Sequence, residues 1–441
     1  MKILLLNQAF YPDVVSTAQH LTELAEALVE AGHQVTVLCS SRAYDDPQRR
    51  FAKSESWKGV EIIRLRCSAF GKKGRWRRAA DFGTFLLSCA FRLLTMRRFD
   101  LVVGLTSPPL ISVLGAAFAK VKGGKFVFWV MDLNPDEAVA AGWLREGAAT
   151  ERLLSWLLRF SLRASARVVA LDAYMKQRLM AKGVAERAIS VIPPWPHDEA
   201  VAFDGAGGAR FRARHGLEGK YVVMYSGNHS PCHPLDTLLE AAREVADDER
   251  IVFCFVGGGS EFEKVRVFAA EHGLTNVVQL PYQPLTELAS SLSAADLQVV
   301  VMGNPFVGIV HPCKIYNLLT VGTPVLYIGP EVSHIADILR GVPNQRLARS
   351  IRHGAVEEVA GQIRSGAAEA MRPRRGRGMN TDFSRERLLA KMIAALEAAA
   401  GWQTEKWGRE EPAEVSGGLL SETGTDPAAV PKTRRVVASG G

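Results

Sequence analysis

Four short stretches of the chain could handle a phosphorylated ligand. In "HPCKIYNLLTVG", Pro312 suits the first turn of a helix and Gly322 its end. Lys314 then stands beside the positive end of the helix dipole, an unfavourable place for a cation unless an anion lies near. In "YSGNHSPCHPLDTLLEAA", residues 225 to 242, a strand passes through a tight loop into a helix. Gly227 and Asn228 tolerate left-handed backbone, so N–H groups up to His229 can turn inward as an anion nest. The helix that follows would add its positive end. "FVGGG" repeats the strand–glycine turn, and Gly257 and Gly258 let a ligand approach the backbone closely. In "FWVMDLNPDEAV", Asp132 follows a strand at its carboxyl edge, where open α/β sheets bind ligands. Asp136 and Glu137 are placed to cap the next helix.

Each stretch also has a plainer reading. Strand–glycine–helix turns are common for structural reasons. Asp132 serves equally as a turn or capping residue, and Lys314 as a solvated lysine. The first strand–helix turn, "NQAFYPDVVSTAQHL", has no glycine before Gly32, which argues against a dinucleotide-binding G-x-G-x-x-G and hence against an NAD or FAD enzyme. Ser16 or Thr17 can cap that helix, with Gln19 and His20 in its first turn.

The elements that must position these residues alternate. Short continuous apolar runs such as "KILLLN", "KFVFWV", "YVVMYSG" and "DLQVVVM" read as parallel strands buried on both faces, with helical patterns between them. The pattern is α/β, two doubly wound units. The boundary falls at the proline-rich "VIPPWPHDE", giving domains at residues 1–192 and 197–380, and the "DGAGG" that follows reads as loop. A last helix covers 383–400 with Ser384 as N-cap, and 402–441 reads as a disordered tail.

Charge is uneven. The net formal charge is +8, and ten basic residues stand between Arg64 and Arg98 against the single acid Asp81. A second basic knot, "RPRRGR", covers 372–377. Residues 72–98 have basic ends and an apolar middle, which suits either a helix lying on an anionic membrane surface or a core helix with solvated flanks. The uncharged stretch 101–119 reads as strand then helix, broken at Pro108-Pro109, in preference to a membrane span. The basic excess alone would suit nucleic acid, but no recognition motif or aromatic platform accompanies it. The six cysteines lack metal spacing and read as reduced and cytosolic.

Taken together, several pieces resemble the GT-B glycosyltransferases of family 4 over roughly residues 1 to 400. These are "FYP" with "LTELAEALVEAGHQVTVL", "VIPPW", "MYSGN" with "DTLLEAA", "FVGGG", "CKIYNLLTVGTPVLYIG" and "FSRERLL". Within the family the chain is similar to the branch of colanic-acid and O-antigen N-acetylfucosamine transferases. The resemblance implies two Rossmann-like domains facing a cleft, with the C-terminal helix crossing back to the N-terminal domain. It implies no cofactor or metal. The donor would be a nucleoside-diphosphate sugar, usually UDP-linked, held by the C-terminal domain. The acceptor would be a glycan or polyprenyl-diphosphate-linked glycan, at the cytoplasmic face of the plasma membrane. Retaining hexosyl or N-acetylhexosaminyl transfer would follow.

The chain departs from the family pattern in three places. The glycine pair near the first helix is replaced by Ser16, Thr17 and Ala18. The E-x7-E positions hold Ile309 and Asn317, of which Asn317 can still hydrogen-bond a ribose hydroxyl. The arginine and lysine expected after "YSGN" are His229, Ser230, Pro231, Cys232 and His233. The missing charge then falls to Lys314, with His229, His233 and His311 as further donors. The alternatives are a non-catalytic scaffold of the same fold and a UDP-sugar epimerase.

Overall fold

The computed structural model describes residues 1–402 apart from 14, 44–47, 69, 71–74, 197–200, 344–346 and 370–382. The proposed tail, the 372–377 knot and Lys72 and Lys73 lie outside the described residues.

Short Val-, Ile- and Leu-rich runs cannot leave either face wet, so they assemble as sheets covered on both sides. The first sheet holds β1 (Lys2–Leu6), β2 (Gln34–Ser40), β3 (Ser54–Trp57), β4 (Val60–Leu65), β5 (Leu101–Gly104), β6 (Lys125–Trp129), β7 (Arg167–Ala170) and β8 (Ile189–Val191). Its order is β3-β4-β2-β1-β5-β6-β7-β8, parallel except for the β3–β4 pair. Its helices are α1 (Ser16–Glu30), α2 (Arg75–Thr95), α3 (Ile111–Lys122), α4 (Asp136–Ala140), α5 (Ala149–Ala164) and α6 (Ala173–Ala181). The second sheet holds β9 (Tyr221–Asn228), β10 (Ile251–Gly258), β11 (Val277–Leu280), β12 (Leu297–Val301), β13 (Val325–Ile328) and β14 (Ala348–Ile351). It is wholly parallel, in the order β11-β10-β9-β12-β13-β14. Its helices are α7 (Gly205–His215), α8 (Asp236–Glu244), α9 (Phe262–Glu271), α10 (Leu288–Ser293), α11 (Lys314–Val321), α12 (His334–Arg340) and α13 (Val356–Glu369). Finally α14 (Arg385–Ala400) packs against α1, β6 and β7 of the first sheet, where Glu397 meets His33 at 3.0 Å in a buried hydrogen bond.

Strand order reverses direction between β9 and β12 in the second sheet. Such a switch point opens a crevice beyond the carboxyl ends of the strands. Residues 225–230 leave β9 and residues 302–314 follow β12, so both stretches border that crevice.

Residues 101–119 form β5 and α3 on either side of the proline pair, and no helix among the described residues is long and apolar enough to cross a membrane. Four local expectations change. "DGAGG" is helical from Gly205, because the Asp204 carboxylate accepts the Gly207 N–H at 2.8 Å as an N-cap. Its glycines answer a packing need, since a Cβ on Gly208 would come within 2.9 Å of the Ser293 carbonyl. Ser384 occupies an N-cap position without a side-chain cap bond. Val15, not Ser16 or Thr17, is the N-cap of α1, and the N-cap position of α11 is Cys313, one residue after Pro312.

Candidate active site

The floor of the crevice is built from glycines that nothing else can replace. β9 and β10 run side by side to their last residues, pairing Gly227 with Gly257 and Asn228 with Gly258. Gly227 and Gly257 have φ of +136° and +137°, a region that L side chains rarely adopt. A Cβ on Gly257 would lie 2.0 Å from the Gly227 carbonyl oxygen, so the strands approach as closely as backbone allows. Gly259, also at +136°, would place its Cβ 2.1 Å from the His229 carbonyl oxygen.

Lys314 opens α11 and reaches over this floor. Its Nζ lies 3.4 Å from the Tyr225 ring centroid, and a Cβ on Gly227 would sit 3.4 Å from it. The Nζ is buried and has no hydrogen-bond partner among the described residues. Burial pushes its pKa well below the usual lysine range. The Tyr225 ring face offsets part of the lost hydration of the cation. A buried amine with no hydrogen-bond partner, at a helix N-terminus and above a glycine floor, is suited to an anionic ligand, which would favour its charged form. Asn317 is half-buried on the same helix, one turn further along.

The histidines named as donors are turned to other partners, apart from the buried Nε2 of His229, which has none among the described residues. His229 is completely buried against Tyr225 and Phe262, with its Nδ1 on the Gly227 carbonyl at 3.0 Å. Burial, and then Lys314, lower its pKa to about 4, so the ring is neutral. Its backbone N–H is spent on the Gly258 carbonyl at 2.8 Å. His233 bonds the Val301 carbonyl at 2.8 Å, and burial holds it at about 3. His311 has both ring nitrogens occupied, by Asp172 at 2.8 Å and the Tyr316 hydroxyl at 2.7 Å. His229 and His233 therefore supply no cation to the crevice, and both ring nitrogens of His311 are turned to Asp172 and Tyr316. His20 is likewise committed, bridging Ser16 and the Trp195 carbonyl of the linker.

The opposite wall comes from the first sheet. Asp132 follows β6, half-buried, and burial and then the Glu137 carboxylate raise its pKa to about 8. At neutral pH the Asp132–Glu137 pair therefore retains a proton, and its O–H can donate. The turn bearing Asp132 directly meets the loops that follow β9 and β12. Leu133 N–H donates to the Ile309 carbonyl at 2.9 Å, and the Cys232 thiol lies 3.7 Å from Glu137 Oε1. Ser16 lies close enough to Cys313 to act on its thiol, so the starts of α1 and α11 are neighbours. The Ile309 side chain is core, 3% exposed, and no acid could be placed there without burying its charge.

One cluster escaped sequence reasoning. Asp172, the N-cap of α6, accepts from His311 and lies 3.3 Å from His334 Nδ1. Burial opposes its charge, but the His311 hydrogen bond and His334 overcome this and hold it at about 2. The two rings stack at 4.0 Å with planes 15° apart, and one ligand atom from each of Asp172, His311 and His334 lies within 4.8 Å of the others. The cluster pins α6 of the first domain to the segment that carries Lys314. Asp172→Ala should strip His311 and the Met175 N–H of a buried partner and cost about 2–3 kcal/mol in urea unfolding. The stability from this carboxylate is present above its unfolded pKa and is lost as pH falls toward 2, so the variant and wild type should converge in acid.

Comparison with known proteins agrees with the geometry. The description "Glycosyl transferase 4-like domain" matches residues 17–195, and "Glycosyl transferases group 1" matches residues 209–329. The chain belongs to the GT-B glycosyltransferases of family 4. It is 26% identical over 381 residues to a protein of Escherichia coli K12 assigned to colanic acid biosynthesis as glycosyl transferase WcaI, covering 82% of this chain and 91% of that one. It is 27% identical over 244 residues to the glycosyltransferase WbjE of Pseudomonas aeruginosa, covering 55% of this chain and 61% of that one. Among solved structures, Anabaena HepE in complex with UDP and glucose superposes with a TM-score of 0.64 at 16% identity, over 90% of this chain and all of that one.

Proposed function

We propose that this glycosyltransferase moves a sugar, with retention, from a UDP-sugar to a lipid-linked or glycan acceptor in cell-envelope polysaccharide synthesis. The observation that carries the reading is the unpaired Lys314 Nζ poised against Gly227. The diphosphate would lie over Gly227, Asn228 and Gly257, with Lys314 and the start of α11 neutralising the charge that grows as it leaves. Asn317 is placed one turn away for a ribose hydroxyl. The acceptor hydroxyl forms its bond to the anomeric carbon as the bond to the diphosphate breaks, and its proton passes to the departing phosphate oxygen. Asp132 would orient the sugar or acceptor by hydrogen bonding. One relative named for colanic acid synthesis supports the envelope assignment, and a donor made in the cytoplasm would place the enzyme on the inner face of the plasma membrane.

A panel of UDP-, GDP- and TDP-sugars, read by released nucleotide with and without lipid acceptor, tests this. Turnover of a UDP-sugar that depends on acceptor is expected. Acceptor-independent epimerisation, or no binding of any nucleotide, would overturn it.

A further inference from the structure

The crossovers β4→β5, β5→β6 and β6→β7 all step the same way along the first sheet, and β1→β2 steps the other way. Right-handed connections therefore put α2, α3 and α5 on one face and α1 on the opposite face. α14 packs on α1. Among the described residues, nothing covers the outer side of α2, α3 and α5.

That outer side is apolar where it should be polar. Leu87, Phe91 and Leu94 lie at helical spacing along α2, with Phe91 70% and Leu94 72% exposed. Lys122 donates to the Leu94 carbonyl at 3.3 Å, which brings the end of α3 and its 80%-exposed Val121 alongside. On α5, Leu153 and Trp156 are 56% and 63% exposed. Cations border these side chains: Arg92, Arg97, Arg98 and Lys120 at one end, Arg159 and Arg163 along α5, all exposed. Between residues 75 and 122 the sequence has eight basic residues against Asp81 and Asp100, and both acids are engaged, with Ser68 and the Lys2 N–H.

We infer that the α2–α3–α5 face is a single docking surface for an anionic lipid bilayer, with α5 contributing as much as α2. The inference rests on the lipid-linked acceptor proposed above. Exposed Leu, Phe and Trp flanked by Arg and Lys is the chemistry of the membrane interface, where apolar side chains enter the acyl boundary and cations meet phosphate headgroups. α2 extends for about 30 Å, enough to lie along a bilayer surface. The one acid of α5, Glu151, is engaged by the Gly147 N–H and the Ser155 hydroxyl, so cations dominate this face, as anionic headgroups and not a protein partner require.

The test is flotation with vesicles of phosphatidylcholine alone and of phosphatidylcholine mixed with phosphatidylglycerol. They contain no acceptor lipid, so this surface and the transfer reaction can fail independently. Wild-type protein should float with the mixed vesicles only, and less in about 0.5 M salt. Phe91→Glu/Leu94→Glu and, separately, Trp156→Glu should each reduce partitioning about tenfold. Both should melt as wild type, because every replaced side chain is exposed. Wild-type protein left unfloated would overturn the inference, and wild-type flotation of the Trp156 variant would remove α5 from it. Self-association that the α2 variant abolishes, without vesicle binding, would assign the face to a second copy of the chain.

Discussion

Lys314→Ala is expected to lower glycosyl transfer by about two to three orders of magnitude, the scale seen when one charge-stabilising donor is removed from a reaction centre. The loss should not come from unfolding. Burial depresses the Lys314 pKa, so the folded protein holds that proton less tightly than the unfolded chain. Between the two pKa values stability then rises with pH, and the cation is a cost to folding at neutral pH. Lys314→Met keeps the length and removes that cost. It should therefore be inactive and at least as stable as wild type by thermal melting. Lys314→Arg should rescue poorly, because a planar guanidinium must fit between the Tyr225 ring and Gly227, where the ammonium already lies 3.4 Å from the ring centroid. An active Lys314→Ala enzyme would remove this residue from the site.

Gly257→Ala should be among the most disruptive single methyl additions at the described residues. Its backbone sits at φ +137°, and the added Cβ would lie 2.0 Å from the Gly227 carbonyl oxygen, a contact with main chain that no rotamer relieves. Left-handed strain alone costs about 1–3 kcal/mol, and parting β9 from β10 adds to it. A fall in melting temperature of roughly 5–10 °C is expected. Loss of UDP binding should accompany it, since Gly227 moves with its neighbour. Gly273→Ala is the control. It too has positive φ, +61°, but open space around its Cβ, so it should pay backbone strain without losing nucleotide binding. Equal losses in the two variants would mean that the β9–β10 contact has no role in the site.

Much of the fold is legible because its signals are local. Buried parallel strands leave continuous apolar runs, and Pro108-Pro109 separates β5 from α3 within a few residues. The glycine turns after β9 and β10, and a lysine at a helix start, are local as well. Their meeting across some 85 residues could be expected only from the strand-order logic of such sheets. The histidines show where this stops. As residue types they are donors, but burial decides their role, and burial is a property of the assembled crevice. His229 carries no visible mark that Phe262 and Tyr225 will enclose it. The Asp172–His311 pair spans 139 residues and two domains, with no spacing that announces it. α7 reads as loop because glycine disfavours helix, yet Gly208 is what allows α7 to reach the Ser293 carbonyl region of α10.

The central claim is that Lys314 and the Gly227 turn together hold a diphosphate. Calorimetric titration of wild type and Lys314→Met with UDP and with uridine, in buffers of different ionisation enthalpy, tests it most directly. An anion beside a lysine of depressed pKa raises that pKa, so UDP binding should take up protons and tighten as pH falls. Uridine should bind more weakly than UDP to wild type, without proton uptake, and Lys314→Met should bind the two about equally. UDP binding that is equally tight in both proteins, with no proton taken up, would contradict the account.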